Sequence, residues 1–410
     1  MSDLLAELRA RGFVALVSDE DGLRAALERE PITLYCGFDP TNTSLTVGNL
    51  LGVMLLAHFQ RHGHRPIVLM GGGTGMVGDP SGKITQRQML SLDDIRRNLE
   101  HQRGQFARYV NFENGAALQL NNADWLLELR YVEFLRDIGR HFSVNQLLQH
   151  DTYRQRLEGD SLSVIEFNYA LLQAYDFLHL YREHGTMLQT GGQDQWFNIL
   201  AGTELIRRAA GGQAFALVTP LLTTSGGQKM GKSEKGAIWL DPERTSPYEY
   251  YQFWINTEDA DVERFLALYT FLPLDEVRAL GRLEGADLRQ AKERLALEAT
   301  ALTHGLAAAE QARDTSRALF AGQGDAESVP ATTVERKTID DGLSIVDALV
   351  RAGLASSNRA ARDLVRQGGA YLNGARVERA DLRLAATDFE PEGALLRAGK
   401  KQFHRLVLDT

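Results

Sequence analysis

Lys229-Met-Gly-Lys-Ser233 fits two unrelated phosphate-gripping patterns, and the architecture turns on which of them holds. Read from Gly226, the run Gly-Gly-Gln-Lys-Met-Gly-Lys-Ser matches the nucleotide-binding pattern G-x-x-x-x-G-K-[ST]. That pattern needs a strand before the first glycine and a long helix starting at the lysine, so that helical N–H groups and the helix dipole cradle a phosphate. Pro220 and the polar residues 223–228 separate the apolar stretch 214–218 from the glycines. After Ser233, Gly236, the strand-like residues 237–240 and Pro242 leave no room for a helix. The neighbours favour the other reading, a mobile loop that carries two lysines.

The chain has 410 residues, enough for two or three domains that each bury a core. No run of about 18 apolar residues occurs, and Asp3, Glu7 and Arg9 interrupt the first leucines, so no signal peptide or membrane span is expected. The single cysteine, Cys36, excludes an internal disulfide framework and a cysteine zinc cluster, which suits a cytoplasmic protein. Net charge is −9, unevenly spread. Residues 336–410 hold 13 basic against 10 acidic side chains, so the acidic excess lies before them and the tail is the place to expect RNA.

The first half alternates strand and helix. Residues 32–36 read as a buried strand, 49–62 as an amphipathic helix with Leu51, Met54, Leu55 and Phe59 inward, and 66–70 as a second strand, which implies a parallel sheet. Gly71 to Gly78 form a glycine-rich loop, weak evidence alone. Residues 90–148 read as mostly helical, 162–181 as a long helix, and 191–208 as a glycine loop leading into another. Beyond Pro242, residues 248–257, 260–272 and 288–319 read as helices without strand partners. The expected division is a Rossmann-like catalytic domain at 1–240, a helical domain at 241–325, a linker at 326–342 and a small α+β RNA-binding domain at 343–410. The last begins with two short helices and contains Tyr371-Leu-Asn-Gly374, a turn signal between strand-like runs.

Tyr169, Gln173 and Asp176 fall at i, i+4 and i+7 of the long helix and share a face. An ordinary amphipathic helix would put that face in solvent. Apolar residues almost all round point instead to burial, where a carboxylate is costly unless something pairs with it. A ligand with a hydroxyl and an amine would supply such partners.

Five motifs stand in order along the chain: Tyr35-Cys-Gly-Phe-Asp-Pro-Thr41, Gly78-Asp-Pro-Ser-Gly-Lys83 with Arg87, Tyr169-x-x-x-Gln-x-x-Asp176, Gly191-Gly-Gln-Asp-Gln-Trp196 and Lys229-Met-Gly-Lys-Ser233. With them the chain resembles the bacterial tyrosyl-tRNA synthetases, of class I, over essentially its whole length. The resemblance implies that Tyr35 and Asp176 bond the substrate phenol, that Asp79, Tyr169 and Gln173 hold its ammonium, and that Gln195 lies near its carboxylate. Without the phenol, Tyr35 and Asp176 would be buried with unmet polar groups. Such sites discriminate strongly, and this enzyme family is itself the standard illustration of the effect.

For ATP, the resemblance puts Gly192 and Asp194 near the ribose, Asp39 and Thr41 near the reacting phosphates, and Cys36, Gly37 and Gly48 along the nucleotide. Lys83, Arg87, Lys229 and Lys232 would close on the pyrophosphate, acting mainly as charge moves onto the leaving group. Each residue has a plainer reading: Tyr35 as a strand aromatic, Asp79 as a turn residue before Pro80, Cys36 as a small core residue and the lysines as solvated charges. Their joint placement favours the functional one. The reaction forms tyrosyl-adenylate and pyrophosphate without a covalent enzyme intermediate, then passes tyrosine to tRNA, so catalysis is alignment plus charge stabilisation. Magnesium would arrive with ATP, since no dedicated metal-ligand spacing appears. The family also implies a homodimer.

The chain departs from the family where its signature His-Ile-Gly-His should stand, because Thr46-Val-Gly-Asn49 occupies that place. An Asn nitrogen can stand roughly where a histidine ring nitrogen does, whereas Thr46 is shorter and would reach a phosphate only through water or leave the work to Thr41, Lys83 and Lys232. The tail is similar to the small RNA-binding module named for a ribosomal small-subunit protein. There Ser356 or Ser357 can cap a helix on which Arg359, Arg362 and Arg366 recur at i, i+3 and i+7, meeting RNA phosphates or solvent. The expected function is therefore a tyrosine:tRNA ligase. Its rivals are a catalytically weakened RNA-binding paralogue, a phosphate-loop NTPase and a synthetase for another amino acid.

Overall fold

The computed structural model describes residues 3–79, 90–149, 153–154, 157–158, 162–227, 230–233, 236–320, 329, 331–390, 393–399 and 402–409, with backbone alone for Lys232, Ser233 and Phe320. They fall into two compact units, Met1–Met230 with Ala260–Arg282, and Gly231–Asp259 with Leu283–Thr410.

The first unit is built on strands β1 (Leu16–Val17), β2 (Thr33–Phe38), β3 (Arg65–Met70), β4 (Leu118–Asn121), β5 (Thr186–Gly192) and β6 (Phe215–Thr219). Their spatial order is β1-β6-β5-β2-β3-β4, with every pairing parallel except that of β1 on β6. The helix Val47–Arg61 crosses from β2 to β3 and buries Leu51, Met54, Leu55 and Phe59 as expected, but Leu50, Val53, Leu56 and His58 are buried as well, so it is enclosed almost all round and is not the amphipathic helix the periodicity suggested. The helix Val164–His184 starts at a capping box between Ser163 and Glu166 and stops at Gly185, whose φ of 63° ends the helical run. Arg11, buried, donates to the carbonyls of Ala267 (3.3 Å) and Leu272 (2.9 Å), which ties the helix Val262–Tyr269 and the residues after it to this unit.

Two strands of this sheet are corrections to the sequence reading. The stretch read as mostly helical contains β4, and Gly191 and Gly192 end strand β5 instead of forming a loop, pairing with Val218 and Thr219. Strand β5 sits inside the sheet with Gln189 and Thr190 buried, so its sequence lacks the polar and apolar alternation of a half-exposed strand. After β6, Lys232–Ser233 (β7) and Gly236–Ala237 (β8) form a small antiparallel hairpin. A helix from Lys232 is therefore absent, and the phosphate-loop NTPase reading fails on geometry.

In the second unit the helices Pro247–Ile255, Leu288–His304 and Leu306–Phe320 pack together; the run expected as one helix at 288–319 breaks at Gly305, with φ 90° and ψ 156°. A five-stranded sheet follows, from β9 (Ala331–Val334), β10 (Ala370–Leu372), β11 (Ala375–Arg376), β12 (Ala394–Ala398) and β13 (Gln402–Leu408), in the order β11-β10-β12-β13-β9. Asn373 and Gly374, with φ of 47° and 83°, make the tight turn between β10 and β11 that the sequence signals. Linker-like composition does not keep residues 331–340 out of the fold: β9 pairs with β13, and Val334 and Ile339 join the core under the sheet. Among the described residues, no helix is long and apolar enough to cross a membrane.

Candidate active site

In a parallel sheet, ligands meet the carboxyl ends of the strands where the strand order reverses, and here β3 lies on one side of β2 and β5 on the other. The motif residues gather at that point. Tyr35, Cys36 and Gly37 stand on β2, with Asp39 just beyond it; Gly71 to Asp79 follow β3, and Gly192, Asp194 and Gln195 follow or end β5. Gly37, although on a central strand, is exposed, and a Cβ built there would meet no atom within 4 Å. The space beside the middle of the sheet is open at this residue.

A hydrogen-bonded chain links the predicted residues through side chains that sequence inspection did not single out. The Tyr169 hydroxyl donates to Asp39 Oδ2 (3.1 Å), and the Thr74 hydroxyl donates to Asp39 Oδ1 (2.8 Å). Asn122 Nδ2 donates to Thr74 Oγ1 (3.0 Å) and to Asp176 Oδ2 (2.9 Å), and Trp125 Nε1 donates to Asp176 Oδ1 (2.7 Å). Asn122 is itself held, since its Oδ1 accepts the Gly73 backbone N–H at 2.7 Å. Both Asp176 oxygens are thus engaged in a site where the residue is 2% exposed. Burial pushes the Asp176 carboxyl up to about 7, against the opposing pull of Asn122 and Trp125. The one available signal for Asn122 was the Asn121-Asn122 step directly after Leu118-Gln-Leu120.

Tyr35 lies edge-on to Phe177 with ring centroids 5.3 Å apart, and its buried hydroxyl has no hydrogen-bond partner. Burial, then the charge of Asp176, holds its pKa well above the ordinary phenol value. An unpartnered buried hydroxyl costs about 1–3 kcal/mol. Tyr35→Phe is therefore expected to raise the unfolding free energy of the unliganded protein by about 1 kcal/mol, measured by urea unfolding; a destabilised variant would mean that the hydroxyl is satisfied in solution.

Around Tyr169 the field is negative: burial raises its pKa first, and the charges of Asp39 and then Asp79 raise it further. Asp79 Oδ2 accepts from Gln195 Nε2 at 2.7 Å, and Gln195 Oε1 accepts from Asn198 Nδ2 at 3.2 Å. Gln173 is half-buried on the helix between Tyr169 and Asp176. A Cβ on Gly192 would stand 2.5 Å from Asp194 Oδ1, so only glycine lets that carboxylate lie over the strand end. Cys36 is buried, and its sulfur lies against the helix at Gly52, where a built Cβ would be 3.4 Å away; burial pushes its thiol up to about 12.

Thr46 and Asn49 engage each other. The Thr46 backbone N–H and hydroxyl both donate to Asn49 Oδ1 at 2.9 Å, closing the start of the helix Val47–Arg61 and turning the Asn49 amide nitrogen away from it. Gly48 is exposed beside them, as is Thr41, whose N–H donates to the Asp39 carbonyl at 2.8 Å.

Beyond β6, the root of the two-lysine loop is clamped within the first unit. Asp261, 3% exposed, accepts from the Ser225 N–H (2.7 Å), the Ser225 hydroxyl (3.0 Å) and Arg264 (2.6 Å). Arg264 also donates to the Thr223 carbonyl at 2.6 Å, and the Met230 N–H donates to that of Leu222 at 3.0 Å. Lys83, Arg87 and Lys229 lie outside the described residues, and Lys232 is described by its backbone in β7. In the second unit Ser357 caps the helix Asn358–Arg366, on which Arg359, Arg362 and Arg366 are all exposed, Arg366 in an ion pair with Asp363.

Comparison with known proteins matches residues 27–321 to the family of tRNA synthetases class I (W and Y), and residues 322–406 to the SYY-like C-terminal domain of tyrosine-tRNA ligase. The tyrosine-tRNA ligase of Desulfatibacillum aliphaticivorans is 50% identical over 425 residues, and that of Caldanaerobacter subterraneus is 51% identical over 405, each alignment covering 99% of both chains. The crystal structure of a C-terminally truncated Aspergillus nidulans mitochondrial tyrosyl-tRNA synthetase aligns with a TM-score of 0.71 at 30% identity, covering 78% of this chain and 94% of that one.

Proposed function

This chain belongs to the class I tRNA synthetases of the tryptophan and tyrosine group, and on that footing we propose that it is a tyrosine:tRNA ligase: it activates L-tyrosine with ATP and passes the tyrosyl group to tRNA. The observation that carries the choice of tyrosine is the unpartnered Tyr35 hydroxyl buried within the field of Asp176, whose two oxygens are already oriented by Asn122 and Trp125. A substrate phenol supplies what that pair lacks. At the other end, the negative field of Asp39 and Asp79 about Tyr169 suits an ammonium, with Gln173 beside it and Gln195 toward the carboxylate.

In this reading ATP lies over the open backbone at Gly37 and against Gly48, Gly192 and Asp194, with its α-phosphorus in line with the tyrosine carboxylate near Asp39 and Thr41. Lys83, Arg87, Lys229 and Lys232 neutralise the departing pyrophosphate, and Mg2+ arrives with the nucleotide. Cys36, buried against Gly52, serves chiefly as a core residue below the ribose. The chain divides by role into a catalytic domain to about residue 240, helices that follow it in sequence, and a C-terminal module that presents Arg359, Arg362 and Arg366 to tRNA. The exposed apolar residues Leu127, Tyr131, Val132 and Leu135 favour a homodimer that covers that surface, and charging tRNA is a role for the cytoplasm.

ATP–pyrophosphate exchange across a panel of amino acids tests the whole reading. Exchange with tyrosine alone supports it; no exchange from a protein that binds tRNA would favour the weakened paralogue. Thr46→His is expected to change the rate of adenylate formation by less than about tenfold, because Asn49 keeps its amide nitrogen available while Thr46 serves the helix cap. A gain of several orders of magnitude in single-turnover kinetics would show that the altered signature cripples the native site.

A further inference from the structure

We propose that His179 is a positioning residue for tyrosine recognition, acting by stacking on Trp125. Asp176 and His179 are three residues apart on the helix Val164–His184 and so face the same way. The indole of Trp125 spans both: its Nε1 edge donates to Asp176 Oδ1 at 2.7 Å, and its face lies on the imidazole, with ring centroids 4.3 Å apart and planes 19° from parallel. The two donors on Asp176 differ in how they are held. Asn122 is locked by the Gly73 backbone N–H, whereas Trp125 stands half-buried on the four-residue helix Ala123–Leu126, followed by the exposed Leu127. Trp125 also packs against the core cluster that holds Tyr35 and Phe177, and the His179 ring beneath it supplies the stacked contact on the indole face. His179 in turn meets Tyr175 (6.4 Å), and Tyr175 meets Phe134 (5.8 Å), so an aromatic row ends at the carboxylate. Burial holds the His179 pKa below its ordinary value, which favours a neutral ring in the stack. Without that ring the indole loses the contact on its face and is less firmly aimed, leaving Asn122 as the better fixed donor to Asp176.

This inference rests on the tyrosine reading, and its test separates the two. With the full-length protein, His179→Ala is expected to raise KM for tyrosine about fivefold in ATP–pyrophosphate exchange, with kcat and KM for ATP within about twofold. His179→Phe, which keeps a stacking face, is expected to restore the wild-type KM, and His179→Leu, which fills space alone, to behave as the alanine variant. An unchanged KM in His179→Ala, or a leucine variant as good as phenylalanine, would overturn the proposal. Labelling with 5-fluorotryptophan gives a readout independent of activity. The Trp125 resonance, identified by its loss in Trp125→Phe, should move in His179→Ala and return in His179→Phe; a resonance that stays put refutes the stack. Wild-type protein without tyrosine-dependent exchange would sink the functional reading, while the fluorine shifts would still decide the role of His179.

Discussion

Asp176→Asn is expected to lower kcat/KM for tyrosine in ATP–pyrophosphate exchange by about two to three orders of magnitude, with KM for ATP within about twofold. Asp176 accepts one N–H on each oxygen, from Asn122 and Trp125, and its charge acts on Tyr35, whose buried hydroxyl has no partner. An asparagine offers a single oxygen, so one buried donor loses its acceptor and the phenol loses a charge-assisted partner. The same variant carries an opposite signature in stability. The folded-state pKa of Asp176 is raised from 3.8 to about 7, so between those values the native protein retains a proton that the unfolded chain has released. The group's contribution is fully present below pH 3.8 and is lost as pH rises towards 7. Asparagine has no such dependence. The stability of Asp176→Asn relative to wild type should therefore climb with pH across that window by an amount on the order of a few kcal/mol and then level off. Paired thermal melts from pH 4 to pH 8 read it directly, and a constant difference in Tm would show that Asp176 is ionised throughout.

Removing residues 322–410 is expected to leave tyrosine-dependent exchange within about threefold of wild type while cutting tRNA charging by more than about a hundredfold, because phosphate contacts carry much of RNA affinity. The cut belongs before β9. A deletion beginning after Asp341 would leave β9 without β13 and strip Val334 and Ile339 of their core, so impaired exchange in that variant would report misfolding. Even the cleaner cut takes Leu395 and Phe403 away from Tyr248 and Leu319, which pack together within the second unit. The Aspergillus nidulans mitochondrial synthetase noted above gave a crystal structure in C-terminally truncated form. Initial rates of exchange and of charging on the same preparation decide the matter; equal losses in both would count against a separate RNA module.

Local chemistry was legible along the chain wherever neighbours in sequence are also neighbours in space. The Ser356-Ser357 pair signals a helix cap, Asn373-Gly374 a turn, and Tyr169, Gln173 and Asp176 a shared side of one helix, whereas Val47–Arg61 reads as amphipathic yet is buried almost all round. The two-lysine stretch could be told from a phosphate loop by Pro220, Gly236 and Pro242 alone. Strands β4 and β5 escaped, the first being four residues long and the second carrying buried polar side chains inside a sheet. The partners of Asp176 escaped for a different reason. Asn122 and Trp125 lie 54 and 51 residues away from it, on a strand end and a short helix that meet it only because β4 docks beside β3. Asn122 could not have been chosen over Asn121, since both are polar and adjacent. Hydrophobic periodicity and turn chemistry act over a few residues and survive in one dimension, whereas the pairing of a buried carboxylate depends on strand order and register, which arise only when the sheet assembles.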